Sequence, residues 1–348
     1  MSLELKKRVI AAEYESPFEN FKTVKVRGEI RSCPISNHVT RLLPYRIKEF
    51  ARIDVNPIIE KSKGSSCPFC PESLEIKTPR FPRNFIPEGR ITLGETTLFP
   101  NAFPYDEYSA VAVISREHFL TPGQFNTPLL QDGLAASLIY WRRAKEAFPA
   151  AGYALLNWNY MPLAGAGLVH PHVQVAALSE PTIYQRLIIK RERDYESGGG
   201  GSIFDDLVAW EIREQERYIA RTGDWHWVMA FAPRGIYEFW GVMPRAVNAL
   251  EMEESNLRDL ASGLNAILRF LESKGVQAFN MSWYSFYQPE LKGLRNLVAV
   301  IPRVNFPPFG TSDINYFDRL QGESIAFIVL EILTPEVREY FSGNLGKR

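Results

Sequence analysis

The stretch AGAGLVHPHVQVAAL, residues 164–178, places two of the chain's five histidines one residue apart, between a Gly-Ala run and a glutamine. Its second half is typical of a β-strand, in which successive side chains point to opposite faces. His170, His172 and Gln174 are therefore predicted to share one face, while Pro171 and Val173 point into the packing. Because proline has no backbone N–H, Pro171 is expected at the edge or the end of a sheet.

The Gly-Ala run before this strand carries almost no side-chain bulk at Gly165, Ala166 and Gly167. Backbone N–H groups of such a loop can approach a phosphate closely. A row of polar side chains beside the loop therefore indicates a phosphate site. An isolated pair of histidines has a simpler explanation, since two imidazoles can also lie on the surface or be satisfied within a core.

A second chemical signal is the pair Cys67 and Cys70, whose C-x-x-C spacing lets two thiolates bind one metal ion. The chain has three cysteines, and an odd number argues against a disulfide framework. The charged N-terminus lacks the apolar segment of a signal peptide, so we expect a cytoplasmic protein. Four-coordinate zinc needs two more ligands, which would come from the five histidines.

The composition excludes some classes of protein. The 348 residues are 45% hydrophobic, enough for a sizeable core, yet no apolar run is long enough for a transmembrane helix. The formal net charge is zero, which gives no electrostatic reason to expect binding to nucleic acid or to a membrane surface. The length fits one large domain or two of ordinary size.

The chain reads as two similar halves. In residues 108–178 a strand ending near His118, a long helical segment and two further strands follow one another, and residues 225–304 repeat this order. A repeat at so long a period indicates a duplicated α+β unit. Gly198–Gly201 would then join the halves as a flexible linker, or form a surface insertion within one domain.

Three motifs together resemble a known family. CPFCPESLEIKTP (67–79), LFPNAFPYDEYSAVAVISREH (98–118) and HPHVQ (170–174) have the order and spacing found in the galactose-1-phosphate uridylyltransferase branch of the histidine-triad superfamily. ADP-glucose phosphorylase-like proteins belong to that branch. The resemblance implies an α+β fold of two tandem duplicated histidine-triad-like units, residues 1–197 and 202–348, with a mainly antiparallel sheet and flanking helices.

The resemblance also implies roles for single residues. His172 matches the nucleophile, and Gln174 and Asn159 match residues that bind phosphoryl oxygens. The loop of Gly165, Ala166 and Gly167 would contact phosphate through its backbone, and Asn101 and Phe103 would line the nucleotide pocket. A structural Zn²⁺ would be bound by four residues: Cys67, Cys70, His118 and His170.

The activity implied by the family is nucleotidyl transfer. A nucleoside monophosphate would move between a nucleotide sugar and a sugar 1-phosphate or phosphate through a covalent nucleotidyl-histidine, and the protein could be a homodimer. The alternatives are a phosphorylase or hydrolase of nucleotide sugars or dinucleotides, and an inactive nucleotide-binding member. Two positions differ from the family: Gly167 stands in place of a serine, and Ala102 in place of an acidic residue that binds ribose.

Overall fold

The computed structural model describes residues 3–46, 52–64, 67–244, 248–287, 293–306 and 310–343. The strands are β1 (Lys7–Ser16), β2 (Lys22–Ser32), β3 (Val39–Leu42), β4 (Ile91–Leu93), β5 (Thr96–Pro100), β6 (Tyr108–Val113), β7 (Tyr153–Tyr160), β8 (His172–Leu178), β9 (Tyr218–Thr222), β10 (Trp225–Met229), β11 (Phe239–Met243), β12 (Ala278–Phe286), β13 (Asn296–Arg303), β14 (Asn305–Phe306), β15 (Thr311–Ser312) and β16 (Ser324–Ala326). The helices are α1 (Asn56–Gly64), α2 (Pro71–Lys77), α3 (Thr127–Ala147), α4 (Ile183–Ser197), α5 (Ile203–Glu214), α6 (Glu254–Ser273) and α7 (Leu330–Ser342). Within these ranges, none of the helices combines the length and the apolar character needed to cross a membrane.

The main sheet has ten strands in the order β4-β5-β6-β8-β7-β12-β13-β11-β10-β9, and its pairings are antiparallel. Its two five-strand halves have the same internal order, with α3 and α6 at equivalent places in the chain. The halves meet where β7 pairs with β12, with Asn157 opposite Ser282 and Asn159 opposite Asn280. The predicted α+β fold of two duplicated units is confirmed.

A smaller sheet joins the ends of the chain. Its order is β1-β2-β3-β16, and β16 runs parallel to β3. Strands β1 and β2 form a long antiparallel hairpin, in which Lys7 lies opposite Arg31 and Ser16 lies opposite Lys22. The glycines at 198–201 lie between α4 and α5, where Gly200 packs on the ring of Tyr195 so closely that a Cβ would lie 2.3 Å from it. The division into residues 1–197 and 202–348 stays a prediction.

Helix packing determines which face of the main sheet can hold a site. Asn126 caps α3 by accepting a hydrogen bond from the Leu129 N–H at 2.9 Å. The buried Leu134, Leu138 and Trp141 follow helical spacing and belong to the same core cluster as the buried residues of α6. In β7, Leu156 and Trp158 belong to this core, so Asn157 and its face neighbours point to the other side of the sheet.

Candidate functional site

The structure brings together the four side chains that the sequence suggested as metal ligands. Their sulfur and ring nitrogen atoms all lie within 4.8 Å of one another. Cys70 Sγ is 3.2 Å from His118 Nδ1 and 3.6 Å from His170 Nδ1, and Cys67 Sγ is 3.8 Å from His170 Nδ1. Two thiols and two imidazoles in this arrangement could hold a metal ion.

Hydrogen bonds behind the two imidazoles fix which nitrogen faces the sulfurs. His170 Nε2 lies 2.8 Å from the Ser115 carbonyl oxygen, which can only accept, so Nε2 carries the proton. His118 Nε2 lies 2.7 Å from Ser62 Oγ, whose own proton is donated to the Ile59 carbonyl. Both Nδ1 atoms therefore carry a lone pair that faces the cysteines. Metal-binding histidines commonly have this arrangement, in which the other ring N–H is donated to a hydrogen-bond acceptor.

The protonation of the cluster also suits a cation. Burial lowers the pKa of His170 to about 4 and lowers that of His118, so both rings stay neutral near pH 7. Burial, together with the neighbouring Cys67, raises the pKa of the Cys70 thiol to about 12. A positive ion among these groups would reverse that shift, because it stabilises the thiolate.

His170 does not lie in the strand that the sequence predicted for it. The ladder with β6 begins at His172 opposite Val113, and the Pro171 carbonyl accepts the N–H of Ile114 just before it. Proline has no N–H to continue the ladder, which explains the break. Strand β6 likewise ends at Val113, so His118 lies in the loop that follows rather than at the end of the strand.

The backbone carbonyl of His170 orients the His172 ring. Its Nδ1 lies 2.7 Å from the His170 carbonyl oxygen, so Nδ1 donates and Nε2 keeps a free lone pair. The ring of Phe69 packs edge-to-face on it with centroids 5.2 Å apart, and His172 is 9% exposed. Burial lowers the pKa of His172, which keeps the imidazole neutral and nucleophilic.

A cavity of about 640 Å³ lies on the sheet face opposite α3 and α6. Gln174 lines it from β8, Asn157 and Asn159 from β7, and Asn280 and Ser282 from β12. Gln174 pairs with Asn157 across the two strands of the first half. Continuing this register places Asn159 beside His172, so the histidine, the glutamine and the two asparagines occupy one face of the sheet.

Side chains from the second half orient the two asparagines. Asn280 Nδ2 donates to Asn159 Oδ1 at 2.7 Å, and Ser282 Oγ donates to Asn157 Oδ1 at 2.7 Å. These bonds assign the oxygen of each amide, and within the described residues neither Asn157 Nδ2 nor Asn159 Nδ2 donates a hydrogen bond, so both can donate to a ligand. Sequence reasoning missed Asn157, Asn280 and Ser282. The alternation of β7 and β12 was the available signal, because it places all three on one face.

The Gly-Ala loop offers fewer free N–H groups than its sequence suggests. Gly165 N–H donates to the Pro162 carbonyl and Ala166 N–H to the Met161 carbonyl. Gly167 N–H donates to no other backbone carbonyl within the part of the chain that is described. A Cβ on Gly167 would meet no atom within 4 Å, so its backbone faces open space. Gly165 has φ 93°, a conformation that favours glycine.

Two residues that the resemblance placed in the nucleotide pocket do not line this cavity. Asn101 Oδ1 accepts the Phe103 N–H at 2.9 Å, and Phe103 is 85% exposed; neither residue lines the cavity. Tyr105 and Asp106, a few residues further on, do line it. Asp106 thus brings to the cavity a carboxylate that Ala102 cannot provide.

Comparisons with known proteins agree with this architecture. No protein-family model matches the chain. An uncharacterized protein of Archaeoglobus fulgidus is 30% identical over 317 residues, which is 90% of this chain and 92% of that protein. The crystal structure of an ADP-glucose phosphorylase from Arabidopsis thaliana with bound ADP-glucose superposes with a TM-score of 0.70 at 16% identity, covering 90% of this chain and 98% of that one.

A uridylyltransferase structure has a TM-score of 0.65 at 17% identity over 90% of this chain and 98% of that one. A galactose-1-phosphate uridylyltransferase-like protein, also from Arabidopsis thaliana, has a TM-score of 0.69 at 16% identity, covering 89% of this chain and 98% of that one. The resemblance seen in the sequence is therefore confirmed in three dimensions. The chain belongs to one family with the Archaeoglobus protein, and it has the fold of the galactose-1-phosphate uridylyltransferase-like proteins.

Proposed function

We propose that the protein is a nucleotidyltransferase that moves a nucleoside monophosphate between a nucleotide sugar and a sugar 1-phosphate or inorganic phosphate. The observation that carries the proposal is the state of His172. Its Nδ1–H is held by the His170 carbonyl at 2.7 Å, its Nε2 accepts no hydrogen bond from the described residues, and its sheet face continues into a cavity lined by amide donors. A neutral imidazole held in this way is a good nucleophile toward phosphorus.

The route has two displacements. His172 Nε2 attacks the α-phosphorus, a P–N bond forms, and the bond to the bridging oxygen breaks so that the sugar 1-phosphate leaves with the electron pair. An oxygen of the acceptor phosphate then attacks the same phosphorus and releases His172. The His170 carbonyl accepts the Nδ1–H throughout and stabilises the positive charge that the ring gains. Phosphorolysis follows the same route, with inorganic phosphate as the acceptor.

The amide groups are proposed to donate hydrogen bonds to the negatively charged phosphoryl oxygens. The free Nδ2 atoms of Asn157 and Asn159, and the Gln174 amide, would donate to these oxygens as charge redistributes. The Gly167 N–H would donate to a phosphoryl oxygen in place of the hydroxyl of the serine found at this position in the family. The Asp106 carboxylate, at the same cavity, is proposed to accept hydrogen bonds from the ribose hydroxyls.

The metal cluster is proposed to bind zinc for a structural purpose. Four protein ligands complete a tetrahedral sphere and leave no position for water, so the ion would stabilise the fold around it. His170 is at once a ligand and the residue whose carbonyl holds His172. This explains the His-x-His spacing: the first histidine anchors the chain, and the second one reacts.

The test is transfer of label to the protein. Purified protein is mixed with ADP-glucose or UDP-glucose labelled at the α-phosphorus, without acceptor, and quenched in base. Wild type should retain label, and His172→Ala should retain none while melting at the wild-type temperature. The ADP-glucose complex of the Arabidopsis structure supports nucleotide sugars as the first donors to test. Equal labelling of His172→Ala and wild type would refute the nucleophile, and no labelling of wild type would refute the covalent route.

A further inference from the structure

The hairpin of β1 and β2 extends beyond the rest of the small sheet as a two-stranded arm. Strand β3 pairs with β2 only over residues 29–32. Further out, residues 11–16 pair with residues 22–27, and neither stretch pairs with another strand among the described residues. A two-stranded ribbon alone in water is marginally stable at best. The arm is therefore expected to be stabilised by a further contact.

One face of the arm is apolar. Residues opposite each other on antiparallel strands point to the same face, and the register of β1 and β2 collects five apolar side chains on one of them: Ile10, Ala12, Tyr14, Val24 and Val26. The other face is charged, with Lys7 donating to Glu29 at 3.2 Å and Lys25 paired with Glu13. This division is typical of a sheet that is covered on one side. Yet Tyr14 is 49% exposed, so the described residues leave the outer part of the apolar face without a cover.

The turn at the tip of the arm adds two exposed rings. Phe18 is 94% exposed and Phe21 is 68% exposed. Clustered exposed apolar groups mark surfaces that bind another molecule. An aromatic side chain buries about 150–250 Å². Tyr14, Phe18 and Phe21 from each of two arms would therefore supply much of the area, about 1,000 Å², that a specific protein interface needs.

The outer edge of the arm indicates what binds there. Strand β1 is the first strand of the small sheet, so one row of its N–H and C=O groups faces outward and can pair with another strand. Its charges are sorted along the chain: Lys7 and Arg8 lie at one end, and Glu13 and Glu15 lie towards the other. Charges usually protect an exposed edge, but an antiparallel strand of the same sequence brings opposite charges together. A second copy of this chain, related by a two-fold axis, presents that strand.

We propose that the arm binds the arm of a second copy of this chain, edge to edge and antiparallel, so that Ala11 lies opposite its own counterpart. A two-fold axis perpendicular to the sheet keeps the apolar faces of both arms on the same side. In this register Lys7 lies opposite Glu15 of the second copy, and Ile10 lies opposite Ala12 of the second copy. The product is a four-stranded sheet with one apolar face, which meets the requirement for stability that a lone hairpin does not meet.

The same register gives the aromatic side chains of the arm a partner. Tyr14 lies opposite Arg8 of the second copy, whose guanidinium can stack on the ring. The turn that carries Phe18 and Phe21 reaches the residues that precede β1 in the second copy, where both rings would be covered. The interface is separate from the nucleotide cavity, so the inference does not depend on the proposed nucleotidyl transfer.

The first test is a symmetric cross-link. Opposed Cα atoms on antiparallel strands lie about 4.5–5.5 Å apart, which is within the range of a disulfide. Ala11→Cys, oxidised mildly, should therefore form a covalent dimer. Glu13→Cys is the matched control, because its two introduced thiols would lie about 14 Å apart along the strands and should not cross-link. Wild type, treated in the same way, controls for the native cysteines.

The second test uses charge. In sedimentation equilibrium at micromolar concentrations, wild type should have twice the mass of one chain. Glu15→Lys places like charges opposite each other at both ends of the paired strands and should weaken dimerisation about tenfold. The double variant Lys7→Glu/Glu15→Lys restores opposite charges at the same places and should return the dissociation constant to near that of wild type. Glu146→Lys makes the same change of charge on the exposed side of α3 and should have no effect.

Three results would overturn the proposal. The first is a wild type that sediments as a monomer throughout the micromolar range. The second is a dimer in which Ala11→Cys cross-links no faster than Glu13→Cys, because such a dimer would use another surface. The third is a double variant that dimerises as weakly as Glu15→Lys, because the strands would then not pair with Lys7 opposite Glu15. All the substituted side chains are exposed, so the variants should melt at the wild-type temperature.

Discussion

Asn280→Ala tests whether the second half of the sheet orients the proposed phosphate-binding groups of the first half. The substitution removes the Nδ2 donor to Asn159 Oδ1 at 2.7 Å and to the Ala164 carbonyl at 2.9 Å. It also removes the acceptor of Arg303 Nη1 at 3.0 Å. Two neutral hydrogen bonds at about 1 kcal/mol each, and one from a charged donor at about 1.5–3 kcal/mol, give a loss of about 3.5–5 kcal/mol. Water entering from the cavity would reduce that loss to about 2–3 kcal/mol.

The chemical consequence follows from the freed amide of Asn159. Without a donor on Oδ1 its side chain can turn, and the Nδ2 that should meet a phosphoryl oxygen is no longer held in place. Removing a positioned donor at a reacting centre slows a reaction by about 100- to 1,000-fold, and since Asn280→Ala leaves the Asn159 amide present but no longer held, we expect transfer to slow by about 10- to 100-fold. The position of the loop near Gly165 should change as well, because the Ala164 carbonyl loses the hydrogen bond from Asn280 Nδ2.

The assay is the rate of protein labelling by an α-phosphorus-labelled nucleotide sugar in a single turnover, together with urea unfolding. Ser282→Ala is the matched control, because it removes the same kind of donor from Asn157, which is opposite Gln174 rather than beside His172. Its effect on the rate should be smaller than that of Asn280→Ala. A labelling rate in Asn280→Ala equal to wild type would show that Asn159 needs no orientation from the second half.

Three further substitutions or treatments have defined outcomes. Burial raises the pKa of Glu192 from 4.5 to about 7. Between these two pH values the folded state therefore binds a proton that the unfolded state does not. The free energy of unfolding should fall as the pH rises through that range. Glu192→Gln cannot titrate, so wild type should lose up to about 3 kcal/mol relative to it between pH 4.5 and 8; parallel urea-denaturation profiles would contradict this. Prolonged EDTA treatment should lower the melting temperature and added zinc should restore it, whereas His118→Ala should melt low with or without zinc; an unchanged wild-type melt would argue against a structural metal. Gln174→Ala should label slowly but completely, and an unlabelled variant would mean that Gln174 is needed for more than binding oxygen.

Local chemistry made much of the metal cluster and the fold predictable. The C-x-x-C and H-x-H pairs can be recognised directly from their spacing in the sequence. The resemblance to the family then indicated His118 as the fourth member of the cluster, whose ligand atoms lie within 4.8 Å of one another. The repeated order of strands and helix predicted two halves, because α3 and α6 have strong helical periodicity. These signals are short-range, and each can be read within a few tens of residues.

The rest of the site depends on contacts between distant segments, which periodicity does not show. Asn280 meets Asn159 only because β7 pairs with β12 in one register, and a shift by one residue would turn both away. Phe103 was expected in the pocket, yet it is exposed, because the Asn101 side chain accepts its N–H and turns the chain there. Asp106 lines the cavity, and composition alone gives no reason to prefer it.

The covalent intermediate on His172 is the point on which the proposed function depends. Wild-type protein is incubated with ADP-glucose or UDP-glucose, desalted at high pH, digested, and analysed by mass spectrometry with fragmentation. We predict that one of the two donors gives a peptide containing residues 164–178 heavier by one nucleoside monophosphate, with the added mass on His172 and absent after addition of phosphate or a sugar 1-phosphate. An adduct on His170, or turnover of the donor with no adduct on His172 at any time, would contradict the mechanism.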